Sequence, residues 1–246
     1  MRCVSKEYVI SDSYLYDLEI DGGNNNYIAN GVVVHNTLCE VAFVKNPPED
    51  KLDQLFHVKD GVYAFVTSKG LAKQGFIQKN TPTNQDNIYV KTYLKYFHGK
   101  IAEDIADYMN SGFNIEKFYV FGEVFGNGIQ KGFTYGLLEP TFRVFDVYCI
   151  SEQFTGYYNH DILNSVIKTL LTGLERVPVD YIGPWNYDTV VKFRDGMDTS
   201  GKHVKEGIVV RPVIERQYHR GLPDNRVQLK MVSPAYIEKS DGTEFN

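Results

Sequence analysis

The residues that first call for a chemical explanation are His35, Asn36 and Thr37, which follow an apolar run in the stretch GVVVHNT. An asparagine amide can attack its own backbone carbonyl, which forms a succinimide and breaks the following peptide bond. This reaction needs a held geometry and a proton donor to the leaving amine, and the neighbouring His35 can be that donor. Thr37 carries a hydroxyl that can receive an acyl chain. Taken alone, the three residues also fit a strand end followed by a loop.

A longer pattern, YLYDLEIDGGNNNYIANGVVVHNT, ends on these residues. It resembles the C-terminal blocks of an intein, a self-excising protein segment. The resemblance implies that Asn36 closes the intein and that Thr37 opens the protein to be spliced. One departure is Asn25, which stands where the family often carries a histidine. The family's N-terminal nucleophile block is absent, so the chain resembles the C-terminal half of a split intein. A partner polypeptide would then carry the N-half.

Four later stretches carry a second pattern: FYVFGEVFGNGIQKGFTYG, FRVFDVYC, KEGIVVRP and VQLKMVSPAYIEK. Their order and spacing resemble motifs III, IIIa, IV and V of the nucleotidyltransferase superfamily, and most closely the RNA ligases of bacteriophage type. The resemblance covers most of residues 37–240. It implies an enzyme that takes AMP from ATP onto a lysine, passes it to a 5′-phosphate end and seals that end to a 3′-hydroxyl, with Mg²⁺ or Mn²⁺ as the metal.

The same resemblance implies roles for five side chains. Glu123 would bind the ribose hydroxyls, and Phe145 would stack on the adenine. Glu206 would support the metal ion, because hard cations favour carboxylate oxygens. Lys230 would contact the phosphates, and Arg211 is a candidate to join it. Taken singly, Glu206 also fits a solvated strand carboxylate and Phe145 a core aromatic.

Motif V of many relatives holds two lysines spaced by one residue, and here Gln228 or Met231 stands at the second place. Motif I, Lys-x-(Asp/His)-Gly, has its only literal match at Lys239–Gly242, after motif V. We interpret that match as a turn, because Asp-Gly is a common turn pair. The stretch beginning Thr37-Leu38-Cys39 resembles instead the continuation of motif I. The intein would therefore interrupt motif I directly after its glycine, with the lysine on the partner polypeptide.

The sequence thus predicts a precursor half that becomes an ATP-dependent RNA ligase by trans-splicing and does not adenylylate alone. Its partners would be the polypeptide that carries the intein N-half and RNA ends, with DNA ends left open. One alternative is a ligase fragment with an inert N-terminal extension. A second alternative is a nucleic-acid-binding module without catalysis.

The composition of the chain constrains the class of protein, its partners and its location. The 246 residues are 43% apolar and 23% charged, as in ordinary globular proteins, and no apolar run is long enough for a membrane span. The net charge of -5 gives no argument for a nucleic-acid partner. Three scattered cysteines predict neither a disulfide framework nor a metal site, which fits a cytoplasmic location. The family resemblance adds a phage-infected bacterial host.

Strands and helices must position these residues. Residues 1–36 predict short strands around the turn DGGNNN, an intein (Hint-fold) fragment that is incomplete alone. Residues 37–246 predict a mainly antiparallel α+β nucleotidyltransferase domain without its first segment. Helices are expected at 100–110 and at 159–177, the second capped by Asn159 or Asp161. Strands rich in Val, Ile, Phe and Tyr are expected at 38–44, 61–66, 117–125, 132–138, 142–150, 207–214 and 226–232.

Overall fold

The computed structural model describes residues 3–9 and 15–20 at the level of the backbone, and 38–68, 75–130, 134–198, 200–216 and 226–239 in detail. The chain divides into two compact units, one of residues 35–177 and the other of residues 1–34 together with 178–246. The predicted boundary between residues 36 and 37 stays a prediction. Within the described ranges, no helix is long and apolar enough to cross a membrane.

The N-terminal segment contains a short antiparallel pair of strands, β1 (Cys3–Val9) and β2 (Leu15–Ile20). The predicted turn DGGNNN and the residues His35, Asn36 and Thr37 lie outside the described residues.

The unit of residues 35–177 is built on one seven-stranded sheet, in the order β4-β5-β3-β6-β7-β8 with β9 beside β7. All neighbours are antiparallel except β7 and β9, which agrees with the mainly antiparallel fold that was predicted. The strands are β3 (Leu38–Lys45), β4 (Phe56–Lys59), β5 (Val62–Thr67), β6 (Ile115–Phe125), β7 (Thr141–Ser151), β8 (Thr155–Tyr157) and β9 (Glu175–Arg176).

Three helices cover one face of this sheet: α1 (Ile88–Tyr96), α2 (Lys100–Met109) and α3 (His160–Thr169). Asparagine side chains cap two of them, because Asn87 accepts from the amides of Tyr89 and Val90, and Asn159 accepts from that of Ile162. Alternate strand residues and the helices bury a common core, which includes Val41, Phe43, Tyr93, Phe97, Ile105, Met109, Phe118 and Leu163. Short 3-10 helices occur at Glu49–Gln54 and Pro82–Asn84.

The C-terminal part of the other unit contains α4 (Tyr187–Arg194), β10 (Gly207–Val210), β11 (Leu229–Val232) and α5 (Pro234–Lys239). The strands β10 and β11 form an antiparallel pair. A small core of Val190, Ile208 and Met231 joins α4 to this pair.

Four predicted elements differ from the structure, and one of them, the strand predicted at 226–232, begins only at Leu229. Residues 134–138 form turns instead of a strand, because Tyr135 (φ 50°) and Gly136 (φ 72°) both adopt left-handed backbone angles. The helix predicted to reach residue 177 ends at Thr169, and Gly173 (φ 97°) turns the chain into β9. The strand predicted at 207–214 ends at Val210, shortly before Pro212, which lacks the N–H that a strand pairing requires.

Candidate active site

The face of the large sheet opposite the helices carries charged and aromatic side chains. Residues paired directly across antiparallel strands share a face, and Phe121 is paired with Glu40 on one side and Asp146 on the other. Glu123, two residues along β6, lies on the same face and is paired with Leu38 and Arg143. We call this surface the acidic face, defined by Glu40, Glu123 and Asp146.

A β-bulge places Phe145 on the acidic face. One step along β6, from Phe121 to Gly122, corresponds to two steps along β7, from Asp146 to Val144, so Phe145 is the extra residue. The Phe145 ring lies 6.4 Å from that of Phe121 at an interplanar angle of 28°. Phe145 is 8% exposed but does not belong to the core cluster beneath the helices. The bulge therefore aims an aromatic ring away from the core, where it can stack on a flat ligand.

The carboxylates of the acidic face lie in an unusual environment for charged groups. Glu123 and Asp146 are each 2% exposed. Burial raises the pKa of Glu40 to about 7. Burial, Glu40 and Tyr148 together raise the pKa of Tyr119 to about 12. Buried carboxylates are costly unless they are hydrogen-bonded, and a ligand hydroxyl is a suitable donor for them.

Arg143 lies at the edge of this face. Its Nε lies 2.9 Å from Oε2 of Glu175, and its guanidinium carbon lies 5.1 Å from the centroid of the Phe125 ring. Glu175 belongs to the short strand β9, which pairs in parallel with β7. This pairing holds Glu175 next to Arg143, and Arg143 is paired on β6 with Glu123.

The β10–β11 hairpin carries the second group of predicted site residues. Glu206 directly precedes β10 and is 4% exposed, and its carbonyl accepts from the amide of Ser233. Gly207 has φ 147°, and a Cβ there would lie 2.1 Å from the carbonyl oxygen of Met231. Only glycine fits this position, which gives the Glu-Gly pair of the motif a steric reason.

The pairing of β10 with β11 shows the surroundings of Lys230. Met231 is 9% exposed and packs in the small core with Val190 and Ile208, so it does not share a face with Lys230. Gln228 lies directly before the first residue of β11, and the choice between Gln228 and Met231 as the second motif V position stays a prediction. Lys230 is paired with Val209, and Arg211 lies two residues beyond Val209.

The structure therefore gives the predicted site residues in two groups: Glu123 and Phe145 on the acidic face, and Glu206, Arg211 and Lys230 on the hairpin. Lys239 is the last residue of α5, and its side chain and the following Ser-Asp-Gly lie outside the described residues. Within the described part of the chain, no cluster of three or more His, Cys, Asp or Glu side chains has the arrangement of a metal site.

Sequence reasoning missed Glu40, Phe121, Asp146, Glu215 and Arg226. For Glu40 a signal existed, because a glutamate that alternates with the apolar residues of LCEVAF must lie on the sheet face opposite the core. Asp146 and Phe121 lie inside the quoted motifs, but the bulge that brings Phe145 beside Phe121 has no local signature. Glu215 and Arg226 are 11 residues apart in the chain, so no local pattern indicates their contact.

The chain is similar to known RNA ligases. A family model described as RNA ligase matches residues 34–232, whereas no curated protein matches the chain. Among solved structures, Naegleria gruberi RNA ligase with PPi is 17% identical to this chain, with a TM-score of 0.55. The match covers 87% of this chain and 51% of the ligase chain. A lysine-to-alanine variant of that ligase with ATP and Mn is 18% identical with a TM-score of 0.57, again over 87% and 51% of the two chains.

At this level of identity the structural likeness establishes the fold alone. The chain spans about half the length of the solved structures that it matches. The family match, in contrast, covers well over half of this chain and contains both groups of candidate site residues. The chain therefore belongs to the RNA ligase family.

Proposed function

We propose that this chain supplies most of the nucleotide-binding domain of an ATP-dependent RNA ligase, and that protein splicing at Asn36 and Thr37 joins it to the segment with the motif I lysine. The observation that carries the ligase part is the acidic face, where the rings of Phe121 and Phe145 lie beside buried Glu123 and Asp146. A stacked ring and carboxylate acceptors together match a nucleoside, which offers a flat base and ribose hydroxyls.

In this proposal each residue has a defined task. The ring of Phe145 stacks on adenine, and the carboxylate of Glu123 accepts hydrogen bonds from the ribose hydroxyls. Lys230 and Arg211 neutralise phosphate charge, which phosphoryl transfer requires. ATP, when bound, supplies the AMP group that is transferred and the pyrophosphate that leaves.

The residues present also fit a divalent metal. Glu206 is a nearly buried carboxylate, and carboxylate oxygen is the ligand that Mg²⁺ and Mn²⁺ prefer. Mg²⁺ is usually held by one or two carboxylates together with substrate phosphates, so a larger cluster of protein ligands is not required. A solved relative that contains ATP and Mn supports this choice of cofactors.

The family match begins at Val34, three residues before Thr37, which supports a ligase segment that starts close to the proposed junction. In the proposed step, the side-chain nitrogen of Asn36 attacks the carbonyl carbon of the same residue. The bond to the nitrogen of Thr37 then breaks, and His35 donates a proton to the leaving amine and takes up the proton that the attacking amide loses. The acyl chain that the Thr37 hydroxyl carries as an ester then moves to this amine, which forms the new peptide bond and frees the hydroxyl. The product would seal RNA 5′-phosphate and 3′-hydroxyl ends, with DNA ends left open.

The test is to mix the chain with a polypeptide that ends in an intein N-half preceded by Lys-x-x-Gly, and to measure the masses of the products. We expect loss of residues 1–36 and a new peptide bond at Thr37. Asn36→Ala should abolish release of the segment, while the matched change Asn30→Ala should leave it intact where folding persists. An unchanged mass with the partner present would support an inert extension instead. A spliced product that binds RNA but takes no covalent AMP would support a non-catalytic module.

A further inference from the structure

Arg143, at the edge of the acidic face, has a guanidinium group that is only partly engaged. Its Nε donates to Oε2 of Glu175 at 2.9 Å, and its guanidinium carbon lies 5.1 Å from the centroid of the Phe125 ring. Among the described residues, neither Nη1 nor Nη2 of Arg143 forms a hydrogen bond. These two nitrogens carry four of the five N–H groups of an arginine, so they are available to the oxygens of a ligand.

The ion pair with Glu175 orients Arg143 more than it stabilises the fold. The side chain of Glu175 is 70% exposed, whereas that of Arg143 is 26% exposed. An ion pair with so much solvent around its carboxylate contributes little to stability. The carboxylate at Nε and the ring of Phe125 nevertheless restrict the plane of the guanidinium group. A group that is already oriented loses less conformational entropy when a ligand binds.

The position of Arg143 relative to the proposed nucleoside contacts indicates which group of the ligand it meets. Along β6, Phe121, Glu123 and Phe125 share the acidic face at intervals of about 7 Å, because side chains alternate along a strand. In the proposed function the base stacks on Phe145 beside Phe121, and the ribose binds Glu123. Arg143 is paired with Glu123 and extends to Phe125, on the side away from the base. In a nucleotide, the 5′-phosphate follows the base and the ribose.

We propose that Arg143 binds the 5′-phosphate of the adenine nucleotide and that Glu175 is its positioning residue. The proposal rests on the proposed function, because it takes the acidic face as the nucleoside site. A planar guanidinium donates parallel N–H bonds that match the oxygens of a phosphate. Lys230 and Arg211 belong to the hairpin, whereas Arg143 gives the unit of residues 35–177 a phosphate contact of its own. This unit then recognises a nucleotide and not only a nucleoside.

The test compares the affinities of the full chain for adenosine and for AMP, both measured by calorimetry. The two probes differ only in the 5′-phosphate, and the unchanged chain should bind AMP more tightly. Arg143→Gln should weaken AMP binding by about 10- to 100-fold, the value of a charged hydrogen-bonded contact, and leave the affinity for adenosine unchanged. Arg143→Lys keeps the charge but loses the planar fork, so it should restore only part of that loss.

Four results would overturn the proposal. The unchanged chain could bind AMP no more tightly than adenosine, or Arg143→Gln could leave the affinity for AMP as it was. Arg143→Gln could also weaken both probes equally, which would assign Arg143 to the ribose or to the fold. A 5′-phosphorylated oligoribonucleotide is the third probe, and a loss of affinity confined to it would assign Arg143 to the RNA instead.

Lys95→Gln is the matched control, because Lys95 makes the same two kinds of contact. Its Nζ lies 3.4 Å from Oε2 of Glu139, which is 79% exposed, and 5.2 Å from the centroid of the Tyr96 ring. Lys95 belongs to α1, on the other face of the sheet. Lys95→Gln should therefore leave both affinities unchanged, and an AMP loss equal to that of Arg143→Gln would contradict the site. Thermal unfolding of every variant separates loss of the site from loss of the fold.

Two substitutions of Glu175 test its positioning role. Glu175→Gln and Glu175→Ala remove the same negative charge, but only glutamine keeps an oxygen that accepts from Nε of Arg143. Glu175→Gln should therefore bind AMP about 2- to 10-fold more tightly than Glu175→Ala, the value of a neutral hydrogen bond, with equal affinities for adenosine. Equal affinities of the two variants for AMP would show that Glu175 does not position Arg143.

Failure of this inference can be told apart from failure of the proposed function. If the unchanged chain binds adenosine but the phosphate adds no affinity, only the role of Arg143 is refuted. If it binds neither adenosine nor AMP, the nucleoside site of the proposed function is refuted as well. If AMP binding depends on Arg143 while the spliced product takes no covalent AMP, the role of Arg143 stands and the ligase proposal fails.

Discussion

At the scale of single residues, Glu40 shows how an apolar strand can carry a functional group. It lies in the central strand β3, paired with Phe121 on one side and Thr67 on the other, one residue from the buried core residues Cys39 and Val41. Burial raises its pKa to about 7 and also raises the pKa of the Cys39 thiol, which keeps that thiol protonated and unreactive. Glu40 therefore changes charge near neutral pH on the proposed nucleotide-binding face.

The raised pKa of Glu40 predicts a specific pH dependence of stability. The folded state holds this proton up to about pH 7, because burial raises the pKa of Glu40, while the unfolded chain releases it near the ordinary glutamate pKa of 4.5. The free energy of unfolding should therefore fall as pH rises through this window, by about 2–3 kcal/mol for this one group. Glu40→Gln should remove that part of the decrease when urea unfolding is compared at pH 5 and pH 8.

The matched control is Glu116→Gln, which changes an exposed glutamate on β6. Glu116→Gln should leave the difference in the free energy of unfolding between pH 5 and pH 8 the same as in the unchanged chain. If Glu40→Gln also leaves this difference in unfolding free energy unchanged, Glu40 does not carry the buried proton.

At the scale of elements, the β10–β11 hairpin depends on one glycine. Gly207 combines a left-handed φ of 147° with backbone so close that an added Cβ would lie 2.1 Å from an oxygen. The segment before it contains Gly201, which also has a left-handed φ of 67°, but among the described residues other than its chain neighbours no atom lies within 4 Å of an added Cβ. An alanine at Gly201 would therefore meet only the strain of a left-handed backbone, whereas an alanine at Gly207 would meet that strain and a steric clash as well.

Alanine substitution at these two glycines should therefore give unequal results. Gly201→Ala should cost about 1 kcal/mol of unfolding free energy, the strain of a left-handed non-glycine residue. Gly207→Ala should cost about 2–4 kcal/mol, because steric overlap adds to that strain. It should also displace Glu206 and weaken binding of Mn²⁺ and ATP, measured by calorimetry. Equal losses of stability in the two variants would show that the predicted clash relaxes at little cost.

The comparison of sequence and structure is also clearest among the elements. Runs of β-branched and aromatic residues predicted β3, β5, β6 and β7 to within two residues, because these strands are long and buried. The short strands β4, β8 and β9 lack such runs and exist through their pairing with longer neighbours. The bulge at Phe145 and the contact of Glu215 with Arg226 depend on tertiary structure, so no local sequence pattern predicts them.

At the scale of the whole molecule, the chain combines a ligase-family domain with a candidate splice junction just before the strand β3. That strand pairs with both β5 and β6 in the large sheet and carries Glu40 on the acidic face. Joining a lysine-bearing segment to Thr37 would therefore attach it directly to a central strand of the sheet. Splicing and assembly of the nucleotide site are then the same event in the proposed function.

This view predicts that covalent labelling by ATP depends on the segment before Thr37 and not on Lys239. A chain in which residues 1–36 are replaced by a segment that ends in Lys-x-Asp-Gly should become labelled when incubated with ATP carrying a radioactive α-phosphate and Mg²⁺. The unchanged chain should not, because its one Lys-x-Asp-Gly lies at Lys239–Gly242, after the proposed motif V. Changing the grafted lysine to alanine should abolish the label, while Lys239→Ala in the grafted protein should preserve it. Labelling of the unchanged chain that disappears with Lys239→Ala would make the C-terminal motif the nucleophile and remove the need for a partner polypeptide.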